Sequence, residues 1–120
     1  MKPAAGSVVL VRAPGAPGTA ERFRPALVLG TLPGSFQSVL LCGISTSELD
    51  DITADWDEIF EPGNADFKDS GLQARSAARL SFLFAVAEAQ ILELIGSVDV
   101  ARVARARERL AGHLVSDAAT

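Results

Sequence analysis

Two arginines, Arg22 and Arg24, stand just ahead of Pro25 and the apolar run at residues 26–29. Proline fixes its own φ near the strand value and drives the preceding residue into an extended conformation, so the Arg24 guanidinium is delivered at a defined strand mouth. Its planar fork of donors suits the oxygens of a phosphate. A second apolar run, residues 39–44, ends on Ser45, Thr46 and Ser47, which puts hydroxyls at another strand end. Brought together, these two ends would handle a phosphodiester, with Arg24 stabilising charge on phosphorus and a hydroxyl bonding one of its oxygens.

The elements that must position these groups follow from the pattern of apolar runs and breakers. Residues 7–11 are β-branched and apolar and read as a buried strand, followed by a loop at residues 14–23 that holds Pro14, Gly15, Pro17 and Gly18. Two readings of that loop stand: a flap over the Arg24 end, or a connector. Residues 26–29 form the second strand. Gly30, Pro33 and Gly34 then turn the chain into the third, residues 38–44. So short a link favours antiparallel pairing, which would bring the Arg24 and Ser45 ends to the same side.

Between residues 53 and 67 the pattern is irregular, with Trp56, Ile59, Phe60 and Phe67 scattered among acids; Trp56 reads as a core or rim anchor, with base stacking as the other reading. Residues 76–86 are strand-like and apolar except for Arg79, and a short strand is expected at residues 94–98. A helix follows, with Asp99 as N-cap. Its expected apolar face is Val100, Val103, Ala104, Leu110, Ala111 and Leu114, and Arg102, Arg105, Arg109 and His113 form an opposite stripe expected to be solvated. Arg107 interrupts the apolar face, where it either snorkels or reaches a subunit interface.

The chain has 120 residues, 48% of them hydrophobic, which fits one domain spanning residues 1–120 with a real core. Its formal charge of −4 argues against a uniformly basic nucleic-acid binder. The distribution softens that. Seven of the 15 acids lie between Glu48 and Glu61 with no Lys or Arg among them, leaving 11 bases against 8 acids elsewhere. The acidic run reads as a solvated loop. Cys42, the single cysteine, sits in an apolar run and reads as a buried thiol, in keeping with a reducing, cytoplasmic setting. One histidine, His113, makes no metal site. Nothing at the start resembles a signal peptide, and no apolar run nears the roughly 20 residues of a membrane helix, so no membrane partner is expected.

Five pieces in order, GSVVLVR (6–12), RPALVL (24–29), VLLCGIST (39–46), DFKDSGLQARSAARL (66–80) and IGSVD (95–99), resemble the PemK/MazF family of toxin ribonucleases from bacterial toxin–antitoxin pairs. The resemblance covers nearly the whole chain. It implies a mainly β fold with α (α+β), namely a small SH3-like β-barrel with a C-terminal helix, forming a homodimer that binds RNA in a groove between or beside the protomers. It also implies metal- and cofactor-independent cleavage of single-stranded RNA by the substrate's own 2′-hydroxyl, and a cognate antitoxin protein. The family's arginine before the strand proline falls on Arg24, and its strand-ending hydroxyl on Ser45, or on Thr46 if the register slips by one. Arg22, Thr46, Arg75 and Ser76 are the expected substrate contacts, with Arg79 either a further helper or the partner of an internal acid.

The chain departs from the pattern at Gly43, where many relatives carry proline before the Ile-Thr pair, and at Arg75, which replaces an acidic or proline residue before Ser76. Two alternatives to the ribonuclease reading follow. One is a catalytically impaired barrel that binds nucleic acid, an antitoxin or another protein. The other is an interaction protein whose acidic stretch, residues 48–61, docks a basic partner or fills the protein's own basic groove.

Overall fold

The computed structural model describes residues 3–13, 22–47, 49–53 and 55–118. Six strands form one antiparallel sheet in the order β4-β5-β3-β2-β1-β6, with β1 Ser7–Ala13, β2 Arg22–Thr31, β3 Ser38–Ser45, β4 Glu58–Phe60, β5 Ser76–Ala87 and β6 Ile91–Ser97. The described residues also form two α-helices, α1 Phe67–Ser70 and the long C-terminal α2 Val100–Ala118, with short 3-10 turns at Leu49–Asp51 and Glu88–Gln90. The fold is therefore mainly β with a C-terminal helix. The sheet is open, with β4 and β6 as its edges, so the expected closed SH3-like barrel goes beyond what is seen.

β2 and β3 pair antiparallel, as their short connection required. The strand begins earlier than its apolar run suggests, because Arg22, Phe23 and Arg24 pair with Ala13, Arg12 and Val11 of β1. Arg24 is thus inside the strand rather than ahead of it. The β2–β3 ladder starts only at Ala26, so Pro25, which has no N–H to give, sits where β2 is paired on one side alone. Of the expected 14–23 loop, Arg22 and Phe23 belong to β2, and residues 14–21, with their flap or connector reading, lie outside the described residues.

The sheet is bent by β5. Cys42 faces Leu83 and Ile44 faces Ala78, so while β3 advances two residues β5 advances five. Residues 79–82 bulge out opposite Gly43, re-aiming Arg79 and Phe82. Curling lets the two faces hold separate cores. Val8, Leu27, Leu29, Cys42, Ile44, Phe60, Ala78, Leu80 and Ala106 of α2 make one cluster, with Ile95 and Trp56 packed against it. Val9, Val11, Ala26, Val28, Val39, Leu41 and Val86 make the other, with Phe84 and Ile91 on its margin. The second cluster is the face that carries Arg24 and Ser45.

Tight contact at one end anchors α1 to β6. Gly71 ends α1 in the left-handed region at φ +76°, and a Cβ there would lie 2.2 Å from the Ile95 carbonyl oxygen. A Cβ on Gly96 would lie 2.3 Å from the Asp69 oxygen, so only glycine permits this approach.

Two expectations about charge are corrected together. The face of α2 that packs inward is Arg102, Val103, Ala106, Arg109 and Leu110, while Val100, Ala104, Ala111 and Leu114 of the expected apolar stripe are exposed. The acidic segment is no uniformly solvated loop either: Asp57 and Glu58 are buried, and β4 runs through it. Glu58 takes Arg102, Arg105 and Arg109 at 3.2, 2.5 and 2.9 Å. The arginine stripe and the acids are each other's partners. Arg102 is spent further on Asp66, Asn64, the Ile59 carbonyl and the Phe60 ring. Asp57 in turn accepts the backbone amides of Thr53 and Leu80.

Other polar residues of the helix also have work within the fold. Arg107 lies across β2, its Nη1 3.6 Å from where a Gly30 Cβ would be. His113 stands edge-on to Trp56 with ring centroids 5.2 Å apart, and Trp56 Nε1 donates to Ser81 Oγ at 3.0 Å. Trp56 is the rim anchor of the first cluster.

Candidate active site

Carrying the β2–β3 register two steps past Ala26↔Gly43 sets Arg24 opposite Ser45. Their side chains line one pocket with Pro25, Gly43, Ile44, Arg79, Phe82 and Phe84. Its enclosed room, about 20 Å³, suits a single oxygen rather than a nucleotide, so a substrate would lie across the mouth. The site stands on three adjacent strands, β2, β3 and β5. Neighbouring ladders hold its groups more firmly than a loop would.

Arg24 is exposed, and among the described residues nothing is bonded to its guanidinium. An arginine in this state keeps its donors for a ligand. Ser45 Oγ accepts the Ser47 amide at 3.1 Å and lies 3.2 Å from the Ser47 carbonyl, so the hydroxyl is pinned at the strand end by its own turn. Arg79 Nη2 donates to the Ser47 carbonyl at 3.2 Å, which ties β5 to that turn. Two guanidiniums and one hydroxyl thus converge, and among the described residues the lining holds no carboxylate or imidazole.

The remaining sequence-derived contacts are placed elsewhere. Thr46 is exposed but does not line the pocket. Arg75 is paired with Glu61, Nε to Oε1 at 2.5 Å, with both side chains nearly half exposed. Ser76 is buried at 1% exposure and donates to the Ala74 carbonyl at 2.7 Å. Arg22 opens β2, and its side chain lies outside the described residues. The structure brings Arg24 and Ser45 together and leaves Arg75 and Ser76 outside their pocket.

Sequence reasoning left Arg79 between a helper's role and an internal ion pair, and missed Phe82 and Phe84 as site residues. Their only signal was the broken alternation of β5, where a charged residue interrupts an apolar run, and a bulge is a common cause of that break. Cys42 lies behind the pocket. Burial pushes its thiol up to about 12, so it stays protonated. A larger cavity of about 440 Å³ opens between α1 and α2, but its arginines, Arg102 and Arg105, are already bound to Asp66 and Glu58. Among the described residues no group of three His, Cys, Asp or Glu could hold a metal, and no helix is long and apolar enough to cross a membrane.

Comparison with known proteins bears on the fold and the family of the chain. One solved structure, an endoribonuclease in complex with its cognate antitoxin from a mycobacterial species, superposes with a TM-score of 0.60 at 14% identity, covering 95% of this chain and 96% of that one. That likeness is one of fold. No curated protein sequence matches. The family model for the PemK-like, MazF-like toxin of type II toxin–antitoxin systems matches residues 4–114. With that match spanning nearly all of it, the chain belongs to the PemK-like, MazF-like toxin family.

Proposed function

We propose that this chain, as a toxin-family endoribonuclease, cleaves single-stranded RNA at the Arg24 pocket without a metal or cofactor. The observation that carries the reading is the convergence of Arg24, Ser45 and Arg79 on one pocket. In the reaction the substrate's 2′-oxygen bonds to phosphorus as the bond to the 5′-oxygen breaks. The 2′-proton passes to water, the 5′-oxygen takes a proton from solvent, and a cyclic phosphate and a 5′-hydroxyl remain. Arg24 stabilises the charge on the equatorial oxygens, Arg79 adds a second cation, and the Ser45 hydroxyl turns from Ser47 to one non-bridging oxygen. Because attack is intramolecular, positioning and charge stabilisation are most of what the protein must supply. Thr46 and Arg22 are proposed to contact the RNA backbone outside the pocket.

The remaining parts of the reading concern shape and partners. Phe60 on one edge strand and Ile95 on the other pack on the same cluster, which supports an SH3-like barrel left open at its seam. A second copy and an antitoxin are the proposed protein partners. Exposed apolar residues on β6, Leu92 and Leu94, and on α2, Val100, Leu114 and Val115, supply surface for them. A cytoplasmic location is part of the same proposal.

The test is cleavage of a long unstructured RNA in excess EDTA by the wild-type protein and by Arg24→Ala and Ser45→Ala, with product ends identified. Cyclic phosphate ends that disappear with Arg24→Ala support the reading. Cleavage that persists in Arg24→Ala, or that needs added metal, overturns the mechanism; a folded protein that cuts no RNA overturns the activity in favour of a binding module.

A further inference from the structure

Phe82 is an aromatic side chain in an unusual position. It is 43% exposed, yet its ring is held from two sides. Beneath it lies Gly43, where a Cβ would come within 3.3 Å of the ring, so the missing side chain of β3 is the seat of the ring. Beside it lies Phe84, with centroids 5.5 Å apart and the planes tilted by 55°, itself packed on the second core cluster. Both rings line the same pocket as Arg24 and Ser45. A phenylalanine serving only the core would be covered. This one presents a braced apolar face beside a cation.

We infer that Phe82, seated on Gly43 and buttressed by Phe84, is a stacking platform for an unpaired nucleobase next to the phosphate held at Arg24. This inference rests on the ribonuclease reading for its phosphate and adds the base. A base beside the scissile phosphate must unstack from its neighbours to let the sugar rotate for in-line attack, and an aromatic surface replaces the contact it loses. Stacking tolerates every base because each has a π-face, so the platform contributes grip and orientation with little sequence preference. Gly43 and Phe82 then act as a pair, the glycine giving the ring its place.

The test compares Phe82→Ala, Phe82→Leu and Phe82→Trp with the wild type, using a mixed-sequence single-stranded RNA for kinetics and its all-deoxy counterpart, which lacks the 2′-nucleophile, for binding. Stacking predicts that Phe82→Ala raises KM and weakens deoxy-oligonucleotide binding by roughly tenfold. Phe82→Leu, which restores apolar packing without a π-face, should behave like alanine, and Phe82→Trp should recover wild-type affinity. Circular dichroism and the thermal midpoint show that each variant is folded. If leucine performs as well as phenylalanine, or if alanine changes neither KM nor binding, the platform is overturned while the ribonuclease stands. If the wild type cuts no RNA but its oligonucleotide binding follows the order Trp and Phe above Leu and Ala, the ribonuclease reading falls and the platform stands. Neither cleavage nor binding by the folded wild type overturns both.

Discussion

Glu58 accepts hydrogen bonds from Arg102, Arg105 and Arg109, whereas among the described residues no acid reaches Arg24. The two regions use the same side chain to opposite ends. A carboxylate buried to 3% exposure must be surrounded by cations to offset its lost hydration, and α2 supplies three. The proposed phosphate contact needs an arginine that reaches the surface with its fork unspent, and β2 holds Arg24 exposed within its paired length. The formal charge of −4 is a poor guide to such a chain. Part of its acidity is consumed inside the fold.

The comparison can be broken most forcefully at Glu58. Glu58→Ala takes the buried carboxylate shared by Arg102, Arg105 and Arg109 out of the fold, and removal of one member of a buried ionic group costs about 3–5 kcal/mol, with the half-exposed Arg105 drawing the loss toward the lower end. Urea unfolding followed by Trp56 fluorescence would register that loss. Arg24→Ala should do the reverse, lowering kcat by roughly 10²–10³ in a cleavage assay while leaving the unfolding midpoint in place. A midpoint that fell with Arg24→Ala would show the two regions to be less distinct than the geometry indicates. Gly96→Ala forces a Cβ against the α1 backbone and is expected to cost about 1–3 kcal/mol, measured in the same way.

Acid sharpens the contrast. The bond from Arg102, with help from the Asp99 amide, holds Asp66 below the ordinary carboxylate value of 3.8. A depressed folded value stabilises the protein above the ordinary value, and that stability is lost as pH falls from about 3.8 through the lower folded value. Unfolding free energy measured against pH should therefore drop in this window, and Asp66→Asn should flatten the slope. The smallest effect belongs to Arg75→Ala. Its pair with Glu61 is nearly half exposed, and such pairs contribute about 0.2–1 kcal/mol.

How much the sequence disclosed depended on range. The pairing of β2 with β3 was legible because a short link leaves few options, and that alone brought Arg24 to Ser45. The helix and its start at Asp99 were legible from spacing. The partnership of Glu58 with α2 was not, because 44 to 51 residues separate the pairs, and each half considered alone resembles solvated surface. The inward face of α2 was legible only in part for the same reason: Val103 and Leu110 pack inward, while Arg102 and Arg109, read as solvated, turn inward to Glu58. Phe82 looked like any strand phenylalanine until the bulge opposite Gly43 turned it outward.

The open edge of the sheet has a practical consequence for handling the protein. Among the described residues β6 is laddered on one side only, by β1, and it exposes Leu92 at 49% and Leu94 at 46%. Long apolar edges template further strands, so a preparation of this chain alone is expected to precipitate as its concentration rises, well below its melting temperature. A lysine at position 92 or 94, which interrupts such templating, should raise the soluble yield.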